Sequence, residues 1–303
     1  MAFLIACIDG RDPRREQSLR RNDRPFPKGT RHIRLIVAYD GTELAGYQRQ
    51  PADKGLTVQG CLEAALSKVC NEPITCYGSS RTDAGVHAKF QVVSFFTEGK
   101  IPVENLKRAL IAHLPAYIVV QDAMEMELDW RVRHKICGKA YSYKIHNHLI
   151  QNPLTMRYQW HFKKPLDLEA MRRAGRALCG THDYTTLKGA NTTPADPIKT
   201  IYAIDVHVEE NTASDGDFGH YPGDLTITVV GDGFLYHMVR NIVGLLVDVG
   251  RGARSVEAIA GYLAAKDRRC IGKTAPAQGL CLEEVFFDPQ RMQAYIDELL
   301  SSR

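Results

Sequence analysis

The stretch GSSRTDAGVHAKFQ, residues 78–91, carries one carboxylate, Asp83, between an Arg-Thr pair and Ala-Gly in a run of small residues. A carboxylate can serve as a nucleophile or as a general base. ITCYGSS ends one strand candidate and QVVSFF begins another, so residues 81–88 read as a connecting loop, where functional side chains concentrate. The same residues also suit an ordinary turn, with Asp83, Ala84 and Gly85 serving backbone geometry and Arg81 solvated. A second group, WRVRHKICGKAYSYKI at 130–145, interleaves Trp130 and Tyr141 with Arg131, Arg133, His134, Lys135 and Lys139. Basic and aromatic residues so mixed fit an RNA groove, or equally a solvated charged strand. His87 and His237 are open between RNA contact and a structural role, and Arg240 between an ion pair and a solvated helix position.

What is missing narrows the chemistry. The sequence has no G-x-x-x-x-G-K-[ST] loop, no G-x-G-x-x-G after a strand, no G-x-S-x-G and no H-E-x-x-H. Any reaction is therefore expected to run on side chains, without a cofactor. The eight cysteines include no C-x-x-C pair and have no histidines at metal-ligand spacing, so reduced thiols, no metal and a cytoplasmic setting are expected. An apolar segment at residues 3–8 is far too short to cross a bilayer, and neither membrane insertion nor secretion is expected. The net charge of +4 permits a polyanionic partner without requiring one.

These side chains need elements to hold them. Residues 32–40, 91–96, 117–121, 139–145, 201–208, 225–230 and 282–287 read as strands. In 139–145, Tyr141, Tyr143 and Ile145 share one face, with Tyr143 the core residue. Helices are expected over 57–70 with Thr57 as N-cap, over 103–114 stopped by Pro115, and over 167–178 with Asp167 as cap and Gly180 beyond its end. Further helices are expected over 239–249 with Gly250 following, over 255–265, and after Pro289. Strands and helices interspersed with hairpins give an α+β fold with mainly antiparallel sheet. The expected division is a basic arm at 1–31, an α+β half at 32–150 carrying the loop, and a second at 151–303. Residues 209–224 read as a long hairpin loop.

Several of these segments together resemble the tRNA pseudouridine synthase A family. RTDAGVHA (81–88) is similar to that family's active-site signature; YDGTELAGYQRQ (39–50) resembles its opening strand and turn, and TVQGCLEAAL (57–66) its first helix. WRVRHKICGKAYSYKI (130–145), GFLYHMVRNIVG (233–244) and GKTAPAQGLCLEEV (272–285) resemble later family segments, in family order. Tyr47, Ser80 and Lys139 depart from the pattern, standing where Trp, Gly and Arg are common. Lys139 keeps the charge but gives up bidentate recognition, and Ser80 implies a backbone without positive φ.

The resemblance implies the pseudouridine synthase fold: two similar halves with sheets flanked by helices around a central active-site cleft. It also implies an isomerase that converts uridine to pseudouridine at positions 38 to 40 of the tRNA anticodon arm. Asp83 would be catalytic, paired with Arg240. Tyr141 would stack on the target base and Arg81 would help hold the nucleotide out of the helix, with Arg131, Arg133, Lys139 and His237 as RNA contacts. A homodimer is implied as well. The competing readings are an RNA-binding protein without catalysis and a hydrolase using Asp83 and His87 around a metal.

Overall fold

The computed structural model describes residues 27–190, 192, 196–209 and 221–301. The first strand, β1 (Arg31–Tyr39), buries Ile33, Leu35, Val37 and Tyr39, the alternate positions of a pleated chain. β2 (Cys76–Gly78), β3 (His87–Thr97), β4 (Ile118–Met126), β5 (Gly138–Asn147), β6 (Trp160–Phe162), β7 (Gly180–Asp183), β8 (Ile198–Val208), β9 (Gly223–Gly231) and β10 (Leu280–Phe286) join it in one sheet. The order is β4-β1-β3-β10-β5-β9-β8-β7, with β2 on β3 and β6 on β5. Only β10 on β3 and β6 on β5 are parallel, so the sheet is mainly antiparallel as expected.

The C-terminal strand fills the centre. β10 sets Cys281 and Leu282 beside His87 and Ala88 of β3, and on its other edge pairs Leu282 with Tyr141 of β5. The ladder crosses residue 150 without a break, since β5 pairs with β9 from Lys139↔Gly231 to Asn147↔Gly223.

Among the described residues six α-helices flank the sheet: α1 (Val58–Cys70), α2 (Val103–Ile111), α3 (Leu168–Leu178), α4 (Met238–Gly250), α5 (Ile259–Ala265) and α6 (Pro289–Ser301). α1 and α3 begin where side-chain oxygens of Thr57 and Asp167 accept from the amides of Gly60 and Ala170. α4 is apolar nearly all round and is enclosed, with Ile242, Val243 and Leu246 inaccessible. Tyr143, Ile145 and most buried apolar helix side chains share one core; Ala140, Val230 and Phe286, on the opposite sheet face, pack on Met292 and Ile296 of α6.

Some boundaries differ from the sequence expectation. α2 ends at Ile111, three residues early: the amides of His113 and Leu114 both turn onto the Leu110 carbonyl, and Pro115 disfavours helical geometry in the residue before it. Helix over 255–265 forms only from Ile259. Gly250 is the last residue of α4 rather than a stop beyond it. β3 starts at His87, so His87 and Ala88 belong to a strand and not to the loop. β8 and β9 pair as the expected hairpin. Residues 1–26 of the basic arm, with Cys7, and 210–220 of the long loop lie outside the described residues. The other seven cysteines are free thiols.

Candidate active site

Asp83 owes its place to a short turn and the segments around it. The Val86 amide donates to the Asp83 carbonyl at 3.2 Å, and Gly85 has φ +78°, the positive value a type II turn requires at its third residue. So the turn reading holds for the backbone, while the carboxylate is left to point elsewhere. The segment after β1 wraps the loop: the Tyr47 amide donates to the Thr82 carbonyl at 3.0 Å, and the Tyr39 hydroxyl lies 2.7 Å from Thr82 Oγ1. Gly46, at φ +98°, is held so close that a Cβ there would sit 2.8 Å from the Thr82 carbonyl oxygen. That contact ties the segments at 39–50 and 81–88 into one unit.

Gln91 fastens the other end of the loop. Its Oε1 accepts from Ser79 Oγ at 2.6 Å and from the Ser80 amide at 3.2 Å, while its Nε2 donates to the Ser80 carbonyl at 2.8 Å. Ser80 has no positive φ, as its side chain implied. Gln91 is fully buried. Sequence reasoning missed its role, for which the available signal was a lone amide opening an otherwise apolar strand.

From the other half, α4 brings Arg240. Its Nη1 donates to Asp83 Oδ2 at 3.0 Å, the two side chains being 15% and 17% exposed. Its Nε donates to the Ala275 carbonyl at 2.8 Å, and the Ala275 amide returns a bond to the Arg240 carbonyl at 3.1 Å. His237 precedes α4 with φ +60°, and its Nε2 lies 3.3 Å from the same Asp83 Oδ2. Burial holds the His237 imidazole below its ordinary pKa; the Asp83 charge opposes this, and the charges of Arg240 and Arg268 reinforce it. Both contacts fall on Oδ2, which leaves Oδ1 without a hydrogen-bond partner among the described residues.

Above the carboxylate lies a cavity of about 550 Å³, lined among others by Ser80, Arg81, Asp83, Tyr141, Phe234 and Arg240. Tyr141 is 8% exposed and meets Phe234 edge to face, with centroids 5.3 Å apart. Burial pushes its phenol up to about 12; the nearby Ser80 hydroxyl works against this and the Asp83 charge adds to it. Ser80 Oγ lies by that phenol but meets no geometric hydrogen-bond partner among the described residues. Lys139 Nζ donates to the Ser79 carbonyl at 2.8 Å, and burial, then repulsion from Arg133, lowers its amine to about 8. Arg133 donates from Nε to the Gly78 carbonyl at 3.0 Å and, like Arg81, is exposed at the cavity.

The chain matches the family model described as tRNA pseudouridine synthase over residues 35–135 and 174–288. It is 41% identical over 258 residues to the tRNA pseudouridine synthase A of Syntrophotalea carbinolica, covering 85% of this chain and 97% of that protein. The chain belongs to the tRNA pseudouridine synthase family. Against the tRNA pseudouridine synthase A of Brevibacillus brevis the identity is 40%, over 85% of this chain and 100% of the relative. Against that of Moorella thermoacetica it is 42%, over 84% and 98%. Asp83, Arg81, Arg131 and Arg133 fall in the first stretch matched by the family of isomerases, His237 and Arg240 in the second, and Lys139 and Tyr141 between them.

Of the residues singled out in the sequence, Asp83, Arg81, Tyr141, Arg133, Lys139, His237 and Arg240 share the cavity. Arg131 does not line it: its guanidinium donates to the Leu128 and Trp130 carbonyls at 2.7 and 2.9 Å and lies 5.7 Å from the Phe96 ring centroid. His87 also turns away, with Nδ1 accepting from the Gly41 amide at 3.0 Å and Nε2 3.1 Å from the Gln278 carbonyl. It lines a second cavity with Asp40 and Tyr158, so Asp83 and His87 do not form a shared metal site. No cluster of three potential metal ligands occurs among the described residues. Tyr143 is a core residue, fully buried, its hydroxyl donating to the Pro276 carbonyl at 2.8 Å.

Proposed function

We propose that this chain isomerises uridine to pseudouridine in the anticodon arm of tRNA, at positions 38 to 40, with Asp83 as the reacting group and no cofactor. The observation that carries this reading is the Asp83–Arg240 pair at the base of a cavity of about 550 Å³, a volume typical of small-ligand clefts. The reaction breaks a glycosidic bond, turns the uracil over and rejoins it through carbon, and it calls for one carboxylate near the ribose. Arg240 fixes one oxygen of the carboxylate, leaving Oδ1 to attack the sugar or base, or to take a ribose proton. Tyr141 and Phe234 provide apolar surface for a detached base.

A stacked nucleotide must leave its helix to reach this depth, at a cost of a few kcal/mol. Arg81 and Arg133, exposed at the cavity, would hold the displaced backbone by its phosphates. The protein would work as a homodimer. Its support is a run of exposed apolar side chains, Leu149, Ile150, Leu154, Met156 and Tyr158, on one short segment. A cytoplasmic setting agrees with the free thiols, and no helix among the described residues is long and apolar enough to cross a membrane.

The test is Asp83→Asn. Pseudouridine formation in an anticodon stem-loop should fall to background while the RNA still binds. Turnover by this variant would overturn the assignment.

A further inference from the structure

Tyr236 is the exposed aromatic of the active-site cavity. Its ring is 54% exposed where Tyr141, deeper in the same cavity, is 8% exposed. Exposed as it is, it is also firmly held. The His237 ring stacks on it with centroids 3.8 Å apart and planes 25° from parallel. The Gly189 amide donates to the Tyr236 carbonyl at 2.6 Å, and a Cβ on Gly189 would come within 2.4 Å of the Tyr236 ring. The glycine therefore lets the ring lie against the backbone.

The backbone beneath this arrangement is unusual. His237 takes φ +60°, one of three non-glycine residues with positive φ among the described residues. Such a conformation costs about 1 kcal/mol or more and persists where surrounding structure enforces it, often beside a functional site. Here one residue does two things: its ring backs Tyr236, and its Nε2 lies 3.3 Å from the Asp83 carboxylate. The aromatic shelf and the carboxylate are thus held in fixed register.

We propose that Tyr236, backed by His237, is a stacking subsite for the nucleobase next to the extruded uridine. This rests on the reading of the cavity as the uridine site. Extruding one base exposes the face of its neighbour, which then lacks a stacking partner, and aromatic side chains cover such faces in single-stranded RNA recognition. Tyr141 is buried and Phe234 only half-buried, whereas Tyr236 offers an open ring face. Tyr236 lines the same cavity as Arg81 and Arg133, which supply positive charge there.

The experiment measures RNA affinity in an Asp83→Asn background and single-turnover rate in the active enzyme. The probe is an anticodon stem-loop, intact or with an abasic nucleotide on the 5′ or 3′ side of the target. Tyr236→Leu, which fills the space without a π-face, should weaken binding of the intact RNA about tenfold, and Tyr236→Phe less than twofold. One abasic position should weaken binding by the unsubstituted Tyr236 enzyme by a similar factor and leave the Leu variant unaffected, the non-additivity of a direct contact. Tyr236→Leu binding as tightly as the parent, or losses that simply add at both abasic positions, would overturn the subsite. Turnover by Asp83→Asn would instead overturn the reading of the cavity itself, so the two failures are distinct.

Discussion

Arg240 donates from Nη1 to Asp83 Oδ2 at 3.0 Å and from Nε to the Ala275 carbonyl at 2.8 Å, so one guanidinium joins the loop before β3 to the segment before β10. Arg240→Ala should cut the rate of pseudouridine formation by about a hundredfold or more, the scale seen when a fixed electrostatic partner is removed. It should also cost about 1–3 kcal/mol of stability, below the value for a fully buried pair because both groups keep some exposure. Arg240→Lys should recover only part of the rate, since an ammonium cannot hold both acceptors in that fork geometry. Single-turnover assays on a stem-loop decide it; unchanged turnover in Arg240→Ala would remove the pair from the mechanism.

Gln91→Leu tests whether the catalytic loop is held from behind. The substitution deletes the hydrogen bonds to Ser79 and to both backbone groups of Ser80 while keeping side-chain bulk. Leaving buried backbone groups unpaired should cost about 2–4 kcal/mol. Because Gln91 is fully buried, RNA affinity should change little while kcat falls. A variant that unfolds earlier but turns over normally would show that the clamp serves stability alone.

The contrast between Gln91 and Arg240 shows what the sequence could reveal. Arg240 could be paired with Asp83 only through the family resemblance, because 157 residues separate the two and no periodicity reports a contact of that range. Helices were legible where an apolar stripe met a capping residue, as at Thr57 and Asp167, whose side chains do accept the capping bonds. Boundaries failed where packing overrode local preference: Gly250 stays helical, packed against Met171 and Leu166. His87 looked like a loop residue because strand register is set by partners, here Cys281 of a strand nearly two hundred residues away. For Gln91 the lone amide in an apolar strand is the only sequence signal, and it does not name the partners, which are a neighbouring side chain and backbone groups that any residue type carries.

Lys139 predicts a pH dependence of stability. Its amine is lowered to about 8 from an ordinary 10.5, chiefly by burial. Between those values the unfolded chain binds the proton and the folded protein has released it. This group's contribution to stability therefore rises with pH from about 8 to 10.5 and is least favourable below 8. Lys139→Gln lacks that component. The Tm of the wild type should therefore gain on that of the variant as pH is raised through this window in RNA-free protein. Parallel Tm curves would contradict the lowered amine.

Two buried hydroxyls, those of Tyr47 and Ser80, make opposite demands to the clamp. Tyr47 is almost inaccessible and its hydroxyl has no hydrogen-bond partner among the described residues; burial raises its phenol well above the ordinary value. Ser80, 4% exposed, is likewise unpartnered at Oγ. An unpaired buried hydroxyl costs roughly 1–3 kcal/mol, so deleting it should not weaken the fold. Tyr47→Phe keeps the ring that fills the space beside Gly78, where a Cβ would come within 2.3 Å of it. Tyr47→Phe and Ser80→Ala should each unfold at or above the wild-type midpoint, by up to about 1 kcal/mol, in urea melts of the free protein. A loss of 1 kcal/mol or more in either would mean that its hydroxyl is paired in the free protein.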